Sequence, residues 1–271
     1  MTVVKDVMTS DPVTVSVDTY ATTVRSILRT DGFRCVPVVS KNHLVGVITR
    51  GDILNISSNK SNIEARGIME RPKVIATPEM DVNELARKLV AANEIQAPVV
   101  ISSDNMDLIG IVSVMDLLKG FLQSPGKTKN KTVSDFFTSD VVTCNYDDPI
   151  SFVWNKMDDT GFSGLPVIKN KKVIGIITRK DIINSGHVRI IKESDEIKRS
   201  INVEKIMKTP PIVATPNMKI HEAADLLVTC DIGRLPVVKN PVYIKKMPNR
   251  ARESDLIGII AREDILESYL N

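Results

Sequence analysis

The hexapeptide ITRGDI, Ile48–Ile53, returns as VSVMDL at 112–117, ITRKDI at 177–182 and IAREDI at 260–265. Each copy opens on an apolar residue, carries Asp at its fifth position and closes on an apolar residue. An acid held at one place four times calls for an internal repeat, and the flanking sequence supplies it. Upstream of the four hexapeptides run FRCVPVV, IQAPVV, FSGLPVI and IGRLPVV, and further upstream DVMTSDPVTV, GIMERPKVIAT, DFFTSDVVTC and KIMKTPPIVAT.

The spacings are stricter than the residues. Met8 to Pro37, Met69 to Pro98, Phe137 to Pro166 and Met207 to Pro236 are each 29 apart, and Gly46, Gly110, Gly175 and Gly258 each precede their Asp by 6. Only the distance from proline to glycine varies, at 9, 12, 9 and 22 residues. Fixed lengths belong to packed structure and variable ones to a surface hairpin loop.

One unit reads as β-α-β-β-α. PVTVSV is a short strand. Val24, Ile27 and Leu28 recur at helical spacing, with Gly32 just past the helix end. CVPVVS and LVGVIT are continuous apolar runs that suit buried strands, KNH is the turn between them, and RGDILNIS starts a second helix. A unit this small cannot bury both faces of its sheet, so neighbouring copies should pair through them. Linkers are expected at 55–66, 120–132 and 185–202. The middle one, rich in Lys, Gly, Ser and Pro, divides the chain near residue 126.

Composition sets limits. Hydrophobic content of 42% and charged content of 25% fit a globular chain, and no apolar run approaches the ~18 residues of a membrane span. The N-terminal stretch lacks the apolar core of a signal peptide. Cys35, Cys144 and Cys230 are isolated and read as reduced thiols of a cytoplasmic protein; His43, His187 and His221 share no ligand spacing, so no metal site is expected. A net charge of +3 with 4% aromatic residues argues against nucleic-acid binding. No nucleophile–base pair and no phosphate-binding glycine loop is recognisable, so the chain does not read as an enzyme. Tyr20, Trp154 and the scattered Met residues fall mostly at helical positions and read as core or interface.

This pattern resembles the CBS domain, named after cystathionine β-synthase, across nearly the whole chain. The resemblance implies an α+β fold of four β-α-β-β-α units paired into two Bateman modules, 1–125 (copies about 1–58 and 62–123) and 126–271 (copies about 130–187 and 200–271). The four-copy architecture is similar to that of the γ subunit of AMP-activated protein kinase. In this family the clefts of a module hold adenosyl ligands, AMP, ADP, ATP or S-adenosylmethionine, and the bound state regulates a partner. No cofactor is then required beyond the regulatory nucleotide.

The residues themselves leave two readings of the recurrent acid open. Thr49-x-x-Asp52, Ser113-x-x-Asp116 and Thr178-x-x-Asp181 are capping boxes, and Asp264 keeps its place although Ala261 has lost the hydroxyl. A carboxylate at a helix start can equally accept hydrogen bonds from a ribose diol, while the helix N-terminus and the Thr49, Ser113 and Thr178 hydroxyls hold phosphate. Within the resemblance, Asp52, Asp116, Asp181 and Asp264 are ribose ligands. Arg34, Arg234, Arg50, Arg179 and Arg262 are phosphate ligands, since an arginine fork grips phosphate at two points, although each also reads as a solvated surface residue.

The adenine pocket would draw on Asp11, Ser16, Phe33 and Cys35 in copy one and on Thr77, Ile95 and Gln96 in copy two. Copy three would contribute Asn145, Phe162, Ser163 and Gly164, and copy four Thr215, Ile232 and Gly233. Each apolar member also reads as plain core. Copy two, with Val114 and Met115 after Ser113 and Gln96 before its proline, offers no basic residue of its own there and should be the weakest site unless a partner copy lends an arginine. The insertion 239–255, with Lys239, Lys245, Lys246, Arg250 and Arg252, reads as a solvated excursion, or else as a partner-docking arm or phosphate lid. The sequence leaves open a disc of four copies in one chain or a homodimer through the modules. It also leaves the regulated protein unnamed, and a scaffold with empty clefts remains the rival function.

Overall fold

The computed structural model describes residues 2–54, 62–123, 128, 130–185 and 201–271. Copy one contains β1 (Thr9–Ser10), β2 (Val15–Ser16), α1 (Ala21–Thr30), β3 (Cys35–Ser40), β4 (His43–Thr49) and α2 (Arg50–Leu54). Copy two contains α3 (Val82–Ala92), β5 (Gln96–Val100), β6 (Leu108–Ser113) and α4 (Val114–Leu122). Copy three contains β7 (Cys144–Asn145), α5 (Ile150–Thr160), β8 (Gly164–Lys169), β9 (Lys172–Thr178) and α6 (Arg179–Asn184). Copy four contains α7 (Ile220–Thr229), β10 (Arg234–Lys239), β11 (Tyr243–Ile244), β12 (Met247–Ala251), β13 (Asp255–Ala261) and α8 (Arg262–Leu270). This is the α+β arrangement the repeat implies. The first strand of each unit is shorter than its apolar run suggests. It lies parallel to the second, β2 on β3 and β7 on β8, or contributes a single bridge, Ala76 to Val99 and Ala214 to Val237. The linkers near 55–61 and 186–200 lie outside the described residues, whereas residues 120–122, expected as linker, still belong to α4.

The start of each unit packs on its neighbour. In copy one the short helical turn Val4–Asp6 takes a hydrogen bond from Val4 N–H to Met80 O, and β1 pairs antiparallel with β6 of copy two. Copy two reciprocates: Ala65 N–H donates to Thr19 O and Glu70 bridges Val47. Copies three and four repeat the exchange through Val133 N–H to Met218 O, Thr138 with Ile259, Val203 N–H to Asp148 O, and Lys208 with Ile176. This exchange explains the invariant spacings. A Cβ built on Gly46 would sit 2.9 Å from Met69 Sδ, one on Gly110 2.7 Å from Met8 Sδ and one on Gly175 2.8 Å from Met207 Sδ, while on Gly258 it would enter the Phe137 ring. The glycine of each copy therefore receives the Met or Phe of its partner, and only a residue without a side chain permits that approach.

The sheet faces meet as the unit's size requires. Leu44, Val100 and Leu108 join copies one and two, and Val173, Val213, Val238 and Ala251 join copies three and four. A larger core crosses between the two halves of the chain. Leu85 and Leu89 of α3, Leu117 and Leu118 of α4, Leu227 of α7, and Ile265, Leu266 and Tyr269 of α8 are buried together, with the Phe121 and Tyr269 rings stacked at 5.4 Å. Copies one and three approach through α1, α2 and α6. Trp154 is core, as its helical position suggests, but Tyr20 is not: it is the residue before α1 and is half exposed.

Two features depart from the reading of 239–255 as a solvated excursion. Residues 243–251 form the β11–β12 hairpin, and Arg250 bridges Ile212 with its guanidinium donating to Pro210 O at 2.7 Å, so that Ala251 becomes core. The rest of the insertion stays largely exposed, including Val242 and Tyr243 as well as Lys245, Lys246 and Met247 at the tip.

Candidate functional site

The four recurrent acids stand in the first turns of α2, α4, α6 and α8. All four act as caps. Asp52 Oδ2 accepts from Thr49 N–H at 2.7 Å and Thr49 Oγ1 at 2.8 Å; Asp116 Oδ2 from Ser113 at 3.0 and 2.7 Å; Asp181 Oδ2 from Thr178 at 2.9 and 2.5 Å. Asp264 Oδ2 accepts only the Ala261 N–H, at 2.7 Å. The cap consumes one carboxylate oxygen and leaves the other, Oδ1, outside it. In copies two and three that oxygen faces a lysine, Lys119 at 3.4 Å and Lys208 at 3.6 Å. Burial pushes the Asp264 carboxyl up to about 6; neighbouring Glu263 and Glu267 add to the rise, and the Ala261 N–H and Arg234 oppose it.

Copies one and three bring their helix starts together and exchange arginines. The Arg179 guanidinium runs so close to α2 that a Cβ on Gly51 would lie 2.7 Å from its Nη1, and Asp52 supports its charge. Arg50 in turn lies within electrostatic reach of Asp181 and donates to Gly32 O. Arg179 also donates to Met157 O at 2.9 Å and stacks 5.6 Å above the Trp154 ring. Copy four completes the junction. Arg34 lies within reach of Arg262, pairs with Asp231 at 3.2 Å, and Lys180 approaches the same acid at 3.9 Å.

Arg234 crosses to copy three, donating to Gly164 O at 2.9 Å and to Ser163 Oγ at 2.7 Å. Arg262, which reads equally as solvated from sequence, is buried beside Glu263. Burial holds Arg34, Arg179 and Arg234 below their ordinary values and pushes Arg50 down to about 10, where Arg34 adds repulsion. Five arginines and Lys180 thus converge where copies one, three and four meet.

Copy two is different for a packing reason. Val114 and Met115, at the positions of the arginine and its successor elsewhere, are part of the core shared with copy four. Gln96 offers a buried Oε1 that bonds to no partner among the described residues.

The adenine-pocket candidates divide. Cys35 stands opposite Thr49 in strand register, Gln96 opposite Ser113 and Gly164 opposite Thr178, so the second strand of these copies starts beside its cap. Gly233 O likewise accepts from Arg262 N–H. Phe33 and Phe162 are exposed rather than core, and Ile95 and Ile232 are half-buried against it. Asp11, in the left-handed region at φ 48°, follows the strand lent to copy two, while Ser16 stays on the copy-one sheet with its hydroxyl against Thr19. The Asn145 N–H donates to Asp148 Oδ2 at 2.8 Å, and the Thr77 and Thr215 carbonyls accept the closing bonds of turns from Met80 and Met218.

Three residues escaped the sequence reading. Glu94 occupies the position of Phe33, Phe162 and Ile232 and lies near the Cys35 thiol, which burial above all pushes up to about 12. Lys180 and Asp231 escape because the residues they meet lie in other copies, which no local signal announces. Among the described residues, no group of three or more His, Cys, Asp or Glu could hold a metal ion, and no helix is long and apolar enough to cross a membrane.

Comparison with known proteins agrees with this fold. Protein MJ1225 of Methanocaldococcus jannaschii is 28% identical over 282 residues, covering 92% of each chain. Its crystal structure, that of a proposed archaeal homologue of γ-AMPK, superposes with a TM-score of 0.82 over 98% of this chain and 99% of that one. A conserved protein from Pyrococcus horikoshii, 23% identical, shares the fold with a TM-score of 0.67 over 99% and 100% of the two chains. Homoserine O-acetyltransferase of Methanosphaera stadtmanae is 32% identical over 144 residues, but the match spans 52% of this chain and only 28% of that enzyme. The CBS domain model matches residues 4–59, 65–123, 133–187 and 203–271, and with four copies over most of its length the chain belongs to the CBS domain family.

Proposed function

We propose that this protein is a regulatory sensor that binds an adenine nucleotide, AMP, ADP or ATP, in clefts between paired CBS units and signals to a protein partner without catalysing a reaction. The observation that carries the reading is the conjunction at copies one, three and four. A cap-anchored aspartate keeps one carboxylate oxygen for a ribose diol, and a convergence of arginines drawn from both halves of the chain stands beside it. Phosphate binding at such a junction would favour one packing of the two modules over another, and a ligand shifts that balance only by its differential affinity for the two. The likeness to a proposed γ-AMPK homologue supports the same reading. In this proposal the modules are 1–125 and 126–271, and copy two, with Val114 where the other caps are followed by arginine, binds weakest.

Titration calorimetry with AMP, ADP, ATP and S-adenosylmethionine tests it. Binding of at least one adenine nucleotide, weakened ~10-fold or more by Asp181→Ala or Asp264→Ala in a chain that still melts cooperatively, is the expected result, since a bond to a charged group contributes roughly 1.5–3 kcal/mol. No heat with any of the four ligands at millimolar concentration would leave the interaction scaffold as the better account.

A further inference from the structure

Asp231 is an acid that the backbone does not need. It follows α7 at φ 46°, in the left-handed region. The residues five before the proline in the other copies are Gly32, Asn93 and Gly161, at φ 71°, 53° and 73°. Glycine and asparagine meet that conformational demand without charge. In copy four alone the position carries a carboxylate, and it is directed at the basic junction. Oδ1 pairs with Arg34 of copy one at 3.2 Å and Oδ2 approaches Lys180 of copy three at 3.9 Å. Arg50, from a third element, also lies within its electrostatic reach. The Asp231 side chain is 68% exposed, so its ion pairs are of the screened and readily exchanged kind. A phosphate group offers the same two cations more charge and a bidentate geometry.

We propose that Asp231 is an internal stand-in for phosphate, occupying the anion position between Arg34 and Lys180, so that a polyphosphate must displace it and the residue sets the selectivity for phosphate number. The carboxylate repels a triphosphate more than a monophosphate, because the repulsion scales with the product of the charges. The proposal rests on the nucleotide reading for its natural ligand, but its electrostatic core does not. For that reason the first probe is inorganic tripolyphosphate, followed by AMP and ATP, on the full chain.

Asp231→Asn keeps the left-handed conformation and removes the charge; Asp231→Gly, the residue of copies one and three, is the second variant. Both should bind tripolyphosphate about 3- to 10-fold more tightly than the parent at low salt, from the upper part of what an exposed ion pair yields to beyond it, because a repelling charge is also removed. ATP should gain more than AMP, and adenosine should gain nothing. In a Lys180→Met background the gain should shrink, since the two residues act on one anion position. Equal tripolyphosphate affinity in parent and both variants overturns the proposal, as does an unchanged gain in the Lys180→Met background. If tripolyphosphate binding tightens while no nucleotide binds any variant, the stand-in holds and the nucleotide reading falls.

Discussion

Asp264 differs from its three equivalents by one missing hydroxyl. Thr49, Ser113 and Thr178 each donate an O–H to their aspartate, whereas Ala261 donates only its N–H, and burial takes the Asp264 carboxyl up to about 6. Unfolded, that group releases its proton near its ordinary value of 3.8. Between those pH values the folded chain binds the extra proton, so this residue's contribution to stability is favourable below about 4 and is lost as pH rises through about 6. Ala261→Thr should restore the donor, lower the folded value and flatten that part of the stability-against-pH curve. A 13C-carboxyl NMR titration of Asp264 checks it, and an unchanged midpoint would mean that burial alone governs the group. The thiols give a second expectation. Burial pushes Cys35 and Cys144 up to about 12, while Cys230 is exposed after α7. A thiol reagent at pH 8 should therefore label Cys230 first in the native chain, the partly accessible Cys35 much more slowly and Cys144 only after denaturation, with mass-spectrometric mapping as the readout.

At the scale of elements, the interlock between glycine and its partner's Met or Phe governs the pairing of copies. Gly46→Ala meets only the flexible Met69 side chain, but Gly258→Ala meets the Phe137 ring and the Thr138 carbonyl oxygen at 2.8 Å. Overpacking costs ~1–3 kcal/mol, so Gly46→Ala should lie near the low end and Gly258→Ala at or above the high end, as measured by urea denaturation. The two helices and the two long strands of each unit are legible in sequence because their apolar periods and flanking Gly residues are local signals. The exchange of leading segments is not, because Met8 and Phe137 touch glycines more than 100 residues away and no local period announces the destination. The same applies to the hairpin in 239–255: its charge reads as solvent exposure, yet Arg250 spends its guanidinium on Pro210 O and carries Ala251 into the core.

At the scale of the whole molecule, α3, α4, α7 and α8 fuse the two halves of the chain through one apolar core. Leu266→Ala should cost ~2–5 kcal/mol, the range for a fully buried leucine, and should lower the protection of amides in copy two as well as in copy four. Hydrogen exchange resolved by segment is the measurement; protection lost in copy four alone would show that the modules unfold independently. The sequence by itself determined the number of copies, the order of elements within each, the position of the four acids and the poverty of cations in copy two, all of them matters of spacing and residue type along one stretch of chain. Only the tertiary structure decided which copies share a core, which arginines meet at one junction, and that Asp231 and Lys180 belong with them. The reason is physical: a cap is made within three residues of chain, whereas the cluster of Arg34, Lys180 and Arg262 exists only once three units have packed and brought like charges into reach.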